Sequence, residues 1–179
     1  MGALQLTFDG MTEQYGKREQ FLKDLKSGVF VDMIREEIIN EHFQNSKEVY
    51  NTLKPMVATH SDVEKLYVIF LNARNGVIDI VPMFSGSISA SSIYPRELIK
   101  SVIEKKAVSV ILAHNHPSGD CKPSPEDILI TRKIQFGLSF IDVSLHDHII
   151  IGSNGEYFSF GDNIIPDFKK EISVFLREY

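Results

Sequence analysis

The chain has 179 residues, 43% of them hydrophobic and 24% charged, with a formal net charge of −5 and a pI near 5.7. That length suits one domain with a sizeable core plus an appendage, and the acidic balance gives no electrostatic case for a general nucleic-acid binder. The one cysteine, Cys121, excludes an intramolecular disulfide and suits a reducing compartment. No apolar run reaches membrane-spanning length, and the start MGALQLTFDG has no basic segment leading into an apolar one. The expectation is a soluble, cytoplasmic protein.

Residues 1–45 are polar and helical in character and read as an N-terminal extension. Phe21, Leu22 and Leu25 form one apolar stripe, and Phe30, Met33, Ile34, Ile38 and Ile39 another, with Gly28 as a break between them. Asn45 followed by Glu48 predicts a helix cap, and Val49, Tyr50, Leu53 and Met56 the buried face of a helix ending near Val57. Leu66 to Leu71 is β-prone, and Asn75-Gly76 separates it from Val77 to Phe84 as in a hairpin. Pro95 opens a helix whose core face is Leu98, Ile99, Val102 and Ile103. The run 107–113 is continuously apolar and predicts a central strand buried on both faces.

Ser124-Pro125 opens another helix, with Gly137 as its expected stop. Strands are expected at Phe140–Val143 and Asp147–Ile151, and Asn154-Gly155 predicts a hairpin into Tyr157–Phe160. Ile164 to Tyr179 reads as a closing helix. Strands interleaved with helices make this an α/β protein, a mixed sheet flanked by helices.

The stretch Ala113 to Asp127, AHNHPSGDCKPSPED, carries the chemistry. His114 and His116 lie two apart at the end of the central strand, so both imidazoles project from one face. After a loop holding Pro117, Gly119 and Pro123, Ser124 and Asp127 occupy the cap and first turn of the next helix. Taken alone, Ser124 and Asp127 make a plain capping device, and His114 and His116 two polar residues leaving a strand. Taken together, two imidazoles and one carboxylate are the ligand count of a catalytic zinc site with one position open.

His-x-His, seven residues, then Ser-x-x-Asp resembles the JAMM/MPN+ metalloprotease motif, and HNHPSGD followed by PSPED resembles the bacterial RadC family. The likeness runs from about Ser46 to about Gly152 and takes in FLNARNGVI, FSGSISASSIYPREL and DHIIIG, in that order around the motif. His114-Asn115-His116 is not an HNH nuclease signature, whose residues are dispersed through a ββα element. The resemblance implies a JAB/MPN-like (cytidine-deaminase-like) fold over residues 46–179. It also implies Zn²⁺ held by His114, His116 and Asp127, with hydrolysis of an amide or isopeptide bond in a peptide or protein.

In that pattern a glutamate upstream acts as general base, and the matching residue here is Glu64, just before Lys65–Asn72. Read from the residues alone, Glu64 is a solvated charge between a helix and a strand. Glu97 is its rival, in the first turn of an expected helix where the dipole already accounts for an acid. The Ser124 hydroxyl is the implied donor to the oxyanion. Asp147 and His148 read either as supports behind the metal ligands or as an ordinary pair at a strand start. Cys121 is expected outside the ligand set, because the pattern is complete without it. Many RadC relatives carry an N-terminal helix-hairpin-helix segment that binds DNA, but residues 1–45 show no hairpin glycine motif. The alternatives to a hydrolase are a DNA-repair-associated module and a non-catalytic scaffold, the latter set aside because all three ligands are present. The sequence leaves the oligomeric state open.

Overall fold

A computed structural model describes residues 29–58, 63–85, 94–152 and 155–178. The stripe at Phe21, Leu22 and Leu25 and the break at Gly28 lie outside the described residues.

Five strands form one mixed sheet in the order β2-β1-β3-β4-β5: β1 (Lys65–Leu71), β2 (Val77–Ser85), β3 (Ser109–His116), β4 (Ser144–Gly152) and β5 (Tyr157–Ser159). β3 is central, antiparallel to β1 and parallel to β4, and its residues 109–115 are all buried. A strand covered on both faces has no polar side to show, which is why it reads as continuous apolar sequence. Pro82 lies in β2, an edge strand, next to an irregularity in its register with β1, positions at which a sheet tolerates proline.

Helices cover both faces. On one lie α1 (Val29–Ile38) and α2 (Ser46–Ala58), whose Ile38, Val49, Tyr50, Leu53 and Met56 pack with Tyr67, Ile69, Ile111, Ala113 and Ile149. On the other lie α3 (Pro95–Lys105), α4 (Pro125–Ser139), α5 (Phe160–Asn163) and α6 (Ile165–Glu178). Their Leu98, Val102, Ile130, Ile134, Leu138, Phe160 and Ile165 pack with Val68, Phe70, Val110, Leu112 and Ile150. Odd and even positions of β3 thus serve different layers, and each large aliphatic side chain so buried contributes about 1.5–3 kcal/mol.

The differences from the expected elements are local. Of the second N-terminal stripe, Ile38 is buried and Ile34 packs partly, whereas Met33 and Ile39 are exposed. Ile103 is 62% exposed: Leu98 and Val102, one turn apart, face inward from α3 with Ile99 packed partly beside them, and Ile103 lies off that face. α4 runs through Gly137 to Ser139, so the glycine does not end the helix; it lies beside Ile99 of α3, whose Cδ1 would meet an added Cβ at 3.4 Å. Phe140–Val143 is not a strand but the turn closing α4, where Leu138 C=O accepts from Ile141 and Val143 N–H and Asp142 adopts φ 56°. β4 accordingly begins at Ser144, and Phe160 begins α5 instead of ending β5.

Candidate metal centre

The final residues of β3 carry both imidazoles onto the face covered by α4. His114 is fully buried and the His116 side chain is 13% exposed. Gly119, at φ 91°, then turns the chain sharply, and its N–H bonds to His116 C=O. The turn aims Asp120 C=O at His116 Nδ1 (2.7 Å), while Asp120 Oδ1 accepts from Lys122 N–H.

Pro125 occupies the first position of α4 and Ser124 its N-cap, so the capping device foreseen for Ser124 and Asp127 is present. Ser124 Oγ accepts from Asp127 N–H (3.1 Å) and donates to Asp127 Oδ2 (2.6 Å), which also accepts from Ser124 N–H (2.8 Å). The cap fixes Asp127, which is 1% exposed, at the N-terminal end of the helix, where the dipole favours its charge.

Glu64 arrives from a different element. β1 pairs with β3 so that Leu66 faces His114 across the ladder. Asn115, between the two histidines, clamps the approach to β1: its Oδ1 accepts from Lys65 N–H (2.8 Å) and its Nδ2 donates to Val63 C=O (2.9 Å). Glu64 lies between those two bonds.

One potential ligand atom each from Glu64, His114, His116 and Asp127 lies within 4.8 Å of the others, making this a candidate metal-ligand group among the described residues. His114 Nε2 stands 3.2 Å from Asp127 Oδ1 and His116 Nε2 3.3 Å from Asp127 Oδ2, with the two Nε2 atoms 2.9 Å apart. Glu64 Oε1 is farther out, 3.8 Å from each Nε2, and its side chain is 18% exposed, so the cluster opens to solvent at Glu64 and His116.

These atoms fit a divalent cation. Asp127 Oδ1 is buried and has no hydrogen-bond donor, a position costly to leave unanswered. His116 Nδ1 must carry the proton it gives to Asp120 C=O, so a neutral His116 points a lone pair from Nε2 into the same space. Burial alone would raise the Asp127 pKa; when the imidazoles of His114 and His116 carry protons on the nitrogens that face it, they and the Ser124 hydroxyl outweigh burial and hold the carboxyl far below its ordinary value. For His116 burial pulls downward and is outweighed by Asp127 and the Asp120 carbonyl, which raise it. A cation between these groups would answer acceptors that otherwise compete for one proton.

The other sequence candidates lie elsewhere. Glu97 stands in the first turn of α3, 60% exposed and paired with Arg96, outside the four-residue group. Cys121 packs partly buried against the core, outside the group, with burial pushing its thiol up. Glu126 is exposed, and Asp120 shapes the loop. Asp147 turns to Ser159 Oγ (2.7 Å) and Gly161 N–H (2.6 Å), whereas His148 Nε2 meets His114 Nδ1 at 2.8 Å. Sequence reasoning missed Thr131, whose Oγ1 lies 2.6 Å from His148 Nδ1; its place four residues after Asp127 on the same helix face is the signal that marks it.

An α/β sheet carrying two histidines at its central strand end, an aspartate at a helix cap and a glutamate just before the neighbouring strand has the layout of a JAB-type domain. The chain belongs to the RadC family: residues 43–165 match the family model described as RadC-like JAB domain. It is 44% identical over 116 residues to a UPF0758 protein of Symbiobacterium thermophilum, covering 65% of this chain and 49% of that protein. It is 41% identical over 99 residues to one of Aromatoleum aromaticum (55% and 44%) and 40% identical over 119 residues to one of Marinomonas sp. (66% and 53%). The chain thus spans about half the length of the curated relatives it matches. No helix among the described residues is long and apolar enough to cross a membrane.

Proposed function

We propose that this domain is a zinc-dependent hydrolase of amide bonds, a JAMM-type peptidase or isopeptidase acting on a peptide or protein. The observation that carries this is the convergence of Glu64, His114, His116 and Asp127 within 4.8 Å, with Asp127 Oδ1 unanswered. Two imidazoles and a carboxylate would hold Zn²⁺ and leave a position open. The metal, when bound, supplies Lewis acidity toward a carbonyl and toward water.

The protein's own groups do the rest. Glu64, at the solvent side, takes the proton of the attacking water and returns it to the leaving amine. Ser124 faces the cluster, but its hydroxyl proton is engaged by Asp127 Oδ2. Donating to the oxyanion therefore requires the hydroxyl to rotate, in exchange for a stabilisation of about 3 kcal/mol in the transition state. The formal net charge of −5 gives no electrostatic case for a nucleic-acid substrate.

The test is elemental analysis of protein purified without a metal-binding tag, joined to hydrolysis assays on peptide and isopeptide panels. About one zinc per chain is expected, lost in His116→Ala and Asp127→Ala with the fold kept. Glu64→Gln should keep zinc and lose at least about 100-fold in rate, while Glu97→Gln stays active. Full metal retention in both ligand variants sinks the site, and full activity in Glu64→Gln sinks the assigned base.

A further inference from the structure

Behind His114 runs a line of buried groups that the proposed reaction does not use. His114 Nδ1 lies 2.8 Å from His148 Nε2, and His148 Nδ1 lies 2.6 Å from Thr131 Oγ1. Thr131 Oγ1 in turn bonds the main-chain carbonyl oxygen of Asp127 at 2.5 Å. Thr131 and His114 are fully buried and His148 is 1% exposed, so the polar groups of this line find their partners within it. Phe160, also fully buried, stacks on the His148 ring at 4.9 Å with the planes 17° apart and fixes its orientation.

One end of the line sets the position of every proton. A carbonyl oxygen only accepts, so the Thr131 hydroxyl gives its proton to Asp127. Thr131 Oγ1 is then an acceptor for His148 Nδ1–H. A neutral imidazole protonated at Nδ1 offers a lone pair at Nε2, and that lone pair accepts from His114 Nδ1–H. His114 Nε2 is left without a proton, facing His116 Nε2 and Asp127. His116 reaches the same state by a shorter route, through Asp120 C=O.

We propose that Thr131 and His148 are positioning residues that lock His114 in the tautomer able to bind metal through Nε2. The lock closes on the backbone of Asp127, so the two buried members of the metal centre are tied to each other through β4 and the first turns of α4. It rests on the reading of His114, His116 and Asp127 as metal ligands. Groups that orient a ligating imidazole through its other nitrogen commonly change metal affinity by about 10- to 100-fold.

The experiment measures zinc affinity by chelator competition on the full chain, for the wild type, Thr131→Val, Thr131→Ser and His114→Ala. Circular dichroism of each metal-free form monitors folding. Thr131→Val keeps the side-chain shape and removes the acceptor for His148, so affinity should fall about 10- to 100-fold, and Thr131→Ser should restore most of it. Nitrogen NMR of the imidazoles in the metal-free wild type reads the tautomer without any variant and should find His114 protonated at Nδ1. His114 protonated at Nε2, or a folded Thr131→Val that binds zinc as tightly as wild type, overturns the lock. Zinc lost in His114→Ala but unchanged in Thr131→Val removes the lock alone, whereas zinc unchanged in His114→Ala removes the metal assignment beneath it.

Discussion

Asp79 and Asp127 are both buried carboxylates on this fold, and their surroundings treat them in opposite ways. Asp79, on β2, is answered completely: Arg35 from α1 bonds Oδ1 at 2.7 Å through Nε, Lys105 from α3 bonds Oδ2 at 2.6 Å, and Ile80 N–H adds a third donor at 2.8 Å. Asp127 has its Oδ2 answered by its own helix cap and its Oδ1 left without a donor, beside two imidazole nitrogens. A fully neutralised carboxylate is a brace between elements. One left with a bare oxygen in a buried cluster of acceptors fits the candidate metal centre at that end of the sheet.

The comparison breaks most visibly at Asp127→Asn. The amide oxygen can keep both cap bonds from Ser124, while the amide nitrogen supplies the donor that the two imidazoles lack. Zinc affinity should therefore drop by more than about 100-fold, beyond the range for groups that merely orient ligands, while the metal-free protein stays within about 1 kcal/mol of wild type. Chelator competition and denaturant unfolding read the two quantities. A variant that loses stability and keeps zinc would make Asp127 a brace like Asp79.

Asp79→Asn should do the reverse, lowering stability by about 2 kcal/mol and leaving zinc affinity unchanged. This is less than for a fully buried pair, because the Arg35 side chain stays 40% exposed and its attraction is screened. Burial alone would raise the Asp79 pKa, but Lys105 and Arg35 outweigh it and hold it below the ordinary 3.8. A depressed carboxylate contributes stability that is fully present above 3.8 and lost as pH falls through the lower folded value. Wild type and Asp79→Asn should thus converge in stability in acid. A gap that persists unchanged below that pH would show that the ion pairs are not its source.

The sequence carried the sheet order's central element and the three spaced ligand candidates, because His-x-His at a strand end and Ser-x-x-Asp at a helix cap are local patterns with local geometry. Glu64 was different. Its place depends on β1 lying antiparallel to β3 and on the Asn115 clamp, neither of which has a sequence period, so only a family resemblance singled it out. The lock behind His114 joins Thr131 on α4 to His148 on β4, residues brought together only by the parallel pairing of β3 with β4. Phe140 to Val143 misled for the opposite reason. Apolar residues there pack the turn that ends α4, and nothing local distinguishes that use from a short strand.

The smallest effect should come from a third buried carboxylate, Asp147, which has neither cations nor an unanswered oxygen. Its Oδ1 accepts from His148 N–H (2.7 Å) and Gly161 N–H (2.6 Å), and its Oδ2 from the Ser159 hydroxyl (2.7 Å). Burial nevertheless wins over these three bonds and raises its pKa above 3.8. In Asp147→Asn the amide oxygen can retain both N–H bonds, and the amide nitrogen faces Ser159 Oγ, which already accepts from Asp162 N–H. The variant thus strands one hydroxyl proton but removes the cost of a buried charge, and the net change should lie within about 1 kcal/mol. The pH dependence has the opposite sign to that at Asp79. A raised folded pKa means the native state binds more protons between 3.8 and that value, so wild-type stability falls relative to the variant as pH rises through the window. Denaturant unfolding of both proteins across that window should show the variant gaining ground with pH. If it instead loses ground, ionised Asp147 is the stabilising form, and its three hydrogen bonds do for it what Arg35 and Lys105 do for Asp79.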